Sequence, residues 1–437
     1  MPESESPDEI QPDQPVESVL EPEPEPLPLT PISRQERIAA MDVLRGIAVF
    51  GIFLINMPLY VASSAGFFDW QNNALWSEPA DRLANLFIWI FAQAKFYTLF
   101  SFLFGLGFGV QMIRASERHS PNFLSTYRRR LAVLLVIGLL HFTLVWWGDV
   151  LHVYALLGFA LLQFRNRSNR ALLTVAAVLT FAPFVLAVGG TTIAHFNDKK
   201  TAQEKEKKHK EDVESRNKRI DEDTRTKASG TIPQILQLRL KRDLRQLGGE
   251  FFWGIELFAS FLIGLWAARV RIFQDPEPFK PLLKRLAYIG LPLAILFSAA
   301  ELTNAYLYPM DELPLWRLHL NFVREFVARP AMAFGYGALL LLVGVRSWMS
   351  PFAAVGRMAL TNYLLCSLVF TTVANSYGLG LYGKIHPLQG LVLCFAFYAL
   401  QLPFSVWWLG THNYGPAEWL WRSVTYGVRQ PWAKATA

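Results

Sequence analysis

Apolar residues run along this chain in long blocks, each closed by a short cluster of charge. The blocks predict spans near 38–58, 92–113, 129–147, 149–165, 171–194, 252–270, 286–306, 328–345, 352–374 and 388–409. Each reaches or approaches the roughly 20 residues that a helix needs to cross a bilayer. In lipid the backbone must satisfy its own hydrogen bonds, so repeated blocks of this length predict helices and not strands. The pattern predicts an all-α, polytopic bundle of about ten transmembrane helices with interfacial amphipathic helices beside it. The stretch 80–95 is either an interfacial helix leading into the second span or the start of a long, tilted one. Gly415 to Val428 is too short to cross and reads as an amphipathic helix in the interface.

Five regions follow from this pattern. Residues 1–33 are rich in acids and prolines, with EPEPEPLP at Glu21 to Pro28 and no basic residue before Arg34. They predict a disordered, self-repelling tail that lacks the positive start and early apolar core of a secretory signal. A first transmembrane bundle is expected over 34–194, a charged extracytoplasmic loop over 195–250, a second bundle over 251–412 and an amphipathic cytoplasmic C-terminus over 413–437. The two bundles show no convincing self-similarity.

Composition agrees with a membrane setting. Of 437 residues 52% are hydrophobic and 18% charged, against about a quarter charged in soluble domains. Tryptophans stand beside span ends, at Trp146, Trp147, Trp253, Trp316, Trp407 and Trp408, as an interfacial belt requires. The net charge of +7 does not point to nucleic acid, because the basic residues gather at span ends. Arg34, Arg37, Arg114, Arg118, Arg128, Arg129, Arg130, Arg165, Arg167, Arg170, Arg269, Arg271, Lys280, Lys284, Arg285 and Arg346 all fall on one side of a ten-span chain. The positive-inside rule then places both termini in the cytoplasm. The run KEKKHKEDVESRNKR falls outside; loops of about 60 residues translocate largely regardless of charge, and its mixed signs predict a solvated helix. Cys366 and Cys394 lie inside apolar runs and read as buried hydrophobes without a disulfide.

Polar residues inside spans are costly and are candidate functional groups; the alternative is interhelical hydrogen bonding worth about 0.6 kcal/mol each. Placed by depth, they form two layers. Toward the cytoplasmic face lie Asp42, Arg45, Gln111, Arg357, Thr361 and Asn362; Asp42 and Arg45 share a helix face at i, i+3. Toward the outer face lie Asn56, Lys95, His141, Asp149, His152, Glu325 and His319. In HFTLVWWGDVLHVY, Asp149 and His152 are again i, i+3, with His141 hanging from the preceding helix. A carboxylate beside an imidazole is the minimum for general-base catalysis, and serves equally as a proton relay or a structural pair. Nothing in the spacing selects a metal. Gly105, Gly107 and Gly109 (FGLGFG) follow no strand and fail as a phosphate loop; Gly105 and Gly109 predict close helix packing.

Several blocks carry a resemblance. MDVLRGIAVFGIFLIN (Met41 to Asn56), AKFYTLFSFLFGLGFG (Ala94 to Gly109), WGDVLHVYALLG (Trp147 to Gly158), VGRMALTNYLLCSLV (Val355 to Val369) and GPAEWLWR (Gly415 to Arg422) resemble the YeiB family of bacterial inner-membrane proteins, over nearly all of the chain after residue 33. More loosely, the span-one pattern is similar to that of membrane acyltransferases, which pass an acyl group from cytoplasmic acyl-CoA to an acceptor across the membrane. That likeness implies acyl-CoA as co-substrate, with no other cofactor. It puts Asp42, Arg45 and Arg357 on the donor side and His141, Asp149 and His152 at a carbohydrate-like or lipid-linked acceptor, with Asn56, Lys95, Glu325 and Asn362 as further substrate contacts. A secondary transporter and a non-catalytic envelope-assembly protein stay open beside it.

Overall fold

The computed structural model describes residues 38–64, 78–198, 202–307 and 314–434; the expected tail at 1–33 lies outside them. The described chain is helical throughout, and its only strand-like pairing is an isolated bridge between His412 and Ala433. In chain order the helices are α1 (Ala39–Val61), α2 (Pro79–Phe87, continued by a π-turn at Ile88–Ala92), α3 (Lys95–Glu117), α4 (Phe123–Leu144), α5 (Leu151–Leu161) and α6 (Asn169–Asn197). There follow α7 (Ala202–Ser229), α8 (Ile232–Arg269), α9 (Lys280–Arg285), α10 (Leu291–Leu307), α11 (Leu315–Val323), α12 (Arg329–Val343), α13 (Ser350–Arg357), α14 (Ala359–Ala374), α15 (Pro387–Thr411) and α16 (Pro416–Tyr426).

Among the described residues, six helical stretches are long and apolar enough to cross a membrane: Ala39–Val61, Pro79–Glu117, Asn169–Asn197, Glu277–Ala300, Leu315–Val343 and Pro387–Thr411. A seventh is formed if α13 and α14, bent by 71° at Met358, count as one broken span. Large apolar side chains point away from the protein on the outer helices: Leu186 and Phe196 of α6 are 74% and 77% exposed, and Leu400 of α15 is 68% exposed. Water would penalise such a surface and a bilayer accommodates it.

Of the expected spans, 129–147, 149–165 and 252–270 are not among these stretches and 352–374 is the broken one; two segments depart further from the sequence pattern. The block 149–165 becomes a short helix, Leu151–Phe164, only about 21 Å long at 1.5 Å per residue. It is short because it begins inside the bundle: α4 ends at Leu144, and the turn that follows is buried at Trp146, Asp149 and Val150. Within the segment 195–250, residues 202–250 form two helices, α7 and the start of α8, joined by a tight turn. Thr231 and Gln234 form a capping box, with the Thr231 amide donating to Gln234 Oε1 at 2.8 Å. The helix that becomes the span at 252–270 therefore starts far ahead of its apolar part. The stretch 80–95 joins α3 through a left-handed residue, Ala94, at φ 61°.

Helix α3 runs against α8 at backbone distance. A Cβ on Gly105 would stand 2.0 Å from the Phe261 carbonyl oxygen, and one on Gly109 would stand 2.4 Å from the Ala268 Cβ. The glycine run is a packing seam. Helix α1 lies at the centre, in contact with α3, α13, α14 and α15.

Candidate functional site

Asp149 organises the buried polar cluster. The α4–α5 turn places it two residues before α5, where its Oδ2 accepts the His152 amide at 3.0 Å. The exposed amides of a helix N-terminus favour a negative group there. Its two oxygens are divided between two imidazoles: His141 Nδ1 lies 2.8 Å from Oδ1 and His152 Nδ1 lies 2.9 Å from Oδ2. An ionised carboxylate only accepts hydrogen bonds, so each ring carries a proton on the Nδ1 that faces Asp149, and in its neutral form offers Nε2 as an acceptor. The Tyr363 hydroxyl donates to the same Oδ1 at 3.4 Å. His141, Asp149 and His152 are 4%, 3% and 4% exposed; buried charge at this depth is tolerated only when partnered in this way.

Sequence reasoning did not select Ser367. Its hydroxyl lies 2.6 Å from His141 Nε2 and completes a serine–imidazole–carboxylate chain across α14, α4 and the α5 entry turn. The only mark in the sequence is a small polar residue one turn beyond Tyr363 in an apolar run.

A cavity of about 210 Å³ leads toward this cluster from the other end of the bundle. Arg45, Arg130, Arg357 and Arg422 line it together with Asp42 and Glu418. Asp42 pairs with Arg45 at 3.2 Å. Glu418 accepts the Leu360 amide at 2.7 Å, the Thr361 amide at 3.1 Å and the Thr361 hydroxyl at 2.5 Å. The guanidinium of Arg130 lies over the Trp421 ring, 3.8 Å from its centroid, and that of Arg422 lies 4.9 Å from the Tyr414 centroid. Arg130 stands within electrostatic reach of both Arg45 and Arg422. Four cations against two committed carboxylates leave this end of the cavity with an excess of positive charge. Further in, the walls are apolar (Val49, Ile52, Phe104, Leu134) and close on Tyr154 and Tyr363. The cavity thus starts at arginines and ends at the tyrosine that hydrogen-bonds Asp149.

Backbone contact sets the arginine geometry. A Cβ on Gly356 would stand 1.8 Å from the Asp42 carbonyl oxygen, and one on Gly46 would stand 2.0 Å from the Phe352 carbonyl oxygen. Without side chains at these two positions, α1 and α13 touch, and Arg45 and Arg357 reach the same space.

The remaining sequence candidates are spread over separate contacts. Gln111 lines the cavity and donates to the Gly107 carbonyl at 3.1 Å. Asn362 joins α14 to α15 by donating to Ser405 Oγ at 3.2 Å. Asn56 accepts the Tyr97 hydroxyl. Lys95 donates to the Trp89 carbonyl at 2.6 Å, and Glu325 pairs with Arg324 at 2.6 Å and with Arg329. Arg324 in turn stacks over Trp89 at 5.4 Å, so Lys95 and Glu325 share a second network apart from the arginine cavity. His319 meets Thr192 at 3.0 Å. Among the described residues no group of three His, Cys, Asp or Glu side chains is arranged to hold a metal ion.

At the end of the bundle away from the arginines, α7 and α8 are tied to the loops and helix ends. Lys227 donates to the Tyr382 hydroxyl at 3.0 Å, Asp223 accepts from Ser63, and Arg239 of α8 donates to the Leu144 carbonyl at 2.7 Å, beside the α4–α5 turn.

A family described as "Protein of unknown function (DUF418)" matches residues 267–428. The chain is 36% identical to the uncharacterized protein YxaH of Bacillus subtilis (strain 168), over 93% of this chain and 99% of that one. It is 30% identical to an uncharacterized 39.9 kDa protein in the amylase 3' region of Bacillus acidopullulyticus, over 92% and 98%. It is 27% identical to the uncharacterized protein YeiB of Escherichia coli (strain K12), over 91% and 98%. No solved structure matches it.

Proposed function

This chain belongs to the DUF418 family of multi-pass membrane proteins, which includes relatives such as YxaH and YeiB, and from that premise we propose that it is a membrane-embedded acyltransferase. In this reading an anionic acyl donor of the acyl-CoA type enters the cavity from its arginine end. Arg45, Arg130, Arg357 and Arg422 neutralise its phosphates, Asp42 holds Arg45 in place, and the apolar walls receive the acyl chain. His141 or His152 takes a proton from the acceptor, a hydroxyl or amine of an envelope or exported carbohydrate, while Asp149 orients the rings and offsets the charge they acquire. The protein sits in the bacterial inner membrane with both termini cytoplasmic, so donor and acceptor arrive from opposite faces.

One observation carries the reading: the arginine-lined cavity closes on Tyr363, whose hydroxyl is bonded to the carboxylate shared by His141 and His152. The test is the acyl content of the envelope in a strain lacking this gene, complemented with the wild type, Asp149→Asn or His152→Ala. Acyl groups restored by the wild type alone support the proposal. A deletion strain with unchanged acyl content overturns it.

The second imidazole on Asp149 favours one rival, since a single base suffices for transfer whereas two rings joined by a carboxylate make a proton relay. That reading predicts gradient-dependent uptake by the purified protein in liposomes.

A further inference from the structure

The contacts of Ser367 go beyond a base and its orienting acid. Its Oγ lies 2.6 Å from His141 Nε2, and His141 Nδ1 lies 2.8 Å from Asp149 Oδ1. A helical serine usually settles its hydroxyl on a carbonyl of the preceding turn, and Ser367 does approach the Leu364 carbonyl at 3.0 Å. The shorter contact is to the imidazole, and the carboxylate fixes that ring with Nε2 as the acceptor. These are the roles that define an activated serine: a hydroxyl, a base within reach of its proton, and an acid that holds the base's tautomer.

We propose that Ser367 is a nucleophile that carries the acyl group between donor and acceptor; the proposal rests on the acyltransferase reading. In the first half, Ser367 Oγ attacks the acyl carbonyl, and its proton passes to His141 Nε2. The bond from the carbonyl carbon to the donor's leaving group breaks, the leaving group takes the proton from His141, and an acyl ester remains on Ser367. In the second half, the acceptor hydroxyl or amine gives its proton to His141 and attacks the ester. The acyl–oxygen bond to Ser367 breaks, and the proton returns to Ser367. No oxidant or further reactant is needed, and the imidazole ends as it began.

Access follows from the helix that carries both residues. Tyr363 lines the cavity, whereas Ser367 is fully buried four residues further along α14, about 6 Å in axial distance. Rotation of the Tyr363 ring out of its contact with Asp149 would open the route from the cavity to Oγ.

The experiment treats the purified full-length protein in lipid nanodiscs with an alkyl fluorophosphonate, which phosphonylates activated serines, and maps the adduct by mass spectrometry. In parallel it measures envelope acylation in the deletion strain carrying Ser367→Ala, Ser367→Cys or Asp149→Asn. The expected results are an adduct on Ser367 that disappears with Asp149→Asn, loss of acylation with Ser367→Ala, and partial acylation with Ser367→Cys. Full acylation by Ser367→Ala, with Asp149→Asn inactive, overturns the serine step and leaves direct transfer standing. If Ser367→Ala does not accumulate in the membrane, the wild-type adduct decides, and an unlabelled Ser367 sinks the proposal. A deletion strain with unchanged acyl content instead removes the acyltransferase reading itself.

Discussion

Glu418, on the last helix of the chain, caps the helix that begins at Ala359 by accepting the amide of Leu360 at 2.7 Å. The Ala417 amide returns the contact by donating to the Thr361 hydroxyl at 3.1 Å. The break at Met358 exposes amides that a continuous helix would have satisfied internally, and a carboxylate distant in sequence satisfies them. The blocks GRMALTNYL and GPAEWLWR are therefore two halves of one joint, which also forms a wall of the arginine cavity.

Removing that carboxylate leaves buried donors without a partner. Glu418→Ala is expected to destabilise the fold by about 1–3 kcal/mol, read as a lower Tm of the detergent-solubilised protein, with Glu418→Gln losing less. An unchanged Tm for Glu418→Ala would show that the joint does not depend on this cap.

At the α1–α13 contact, Gly356→Ala brings a methyl group to 1.8 Å from the Asp42 carbonyl oxygen. The helices must part, which costs about 1–3 kcal/mol as overpacking does and moves Arg45 away from Arg357. The expected result is a lower Tm together with weaker protection of the protein by acyl-CoA in a thermal-shift assay. Wild-type behaviour in both would remove the glycine pair from the account.

Arg130→Gln and Arg422→Gln each remove one cation from the cavity and leave the His141–Asp149 cluster untouched. Each is expected to weaken acyl-CoA binding by about 10- to 100-fold, in line with the roughly 1.5–3 kcal/mol of a charged hydrogen bond. Higher salt should weaken wild-type binding more than that of the double variant. Equal affinity in all proteins, measured by titration in nanodiscs, would place the anion elsewhere.

The charged helix α7 makes a prediction in pH. Hydrogen bonds from Lys210 and Lys218 hold the Glu206 and Glu214 carboxyls below their ordinary range. A lowered carboxyl contributes stability above its unfolded value and loses it as pH falls through the folded one. The helicity of a 202–229 peptide should accordingly decline on acidification through and below the usual carboxylate range, by circular dichroism. Constant helicity would mean that these pairs contribute nothing.

The helical membrane architecture was legible because apolar block length and charge placement act locally along the chain. Asp149 and His152 could be paired in advance because they are i, i+3, and the Gly105–Gly109 seam because its spacing is helical. Ser367 and Glu418 could not, because their partners lie in distant segments; no periodicity relates Ser367 to His141. Arg130 reads as a topology signal in the sequence, and only its position against Trp421 makes it a cavity residue. Lys95 and Glu325 share the depth of His141 but face another side of the bundle. Depth follows from hydropathy, whereas direction around the helix axis is set by packing.

The most direct measurement follows radiolabelled acyl-CoA mixed with purified protein in nanodiscs and an envelope carbohydrate extract, comparing the wild type with Asp149→Asn. The account predicts label transferred to the extract by the wild type and a loss of about 10²- to 10⁴-fold in Asp149→Asn. Transfer at the wild-type rate by Asp149→Asn, or no transfer by the wild type, would contradict it.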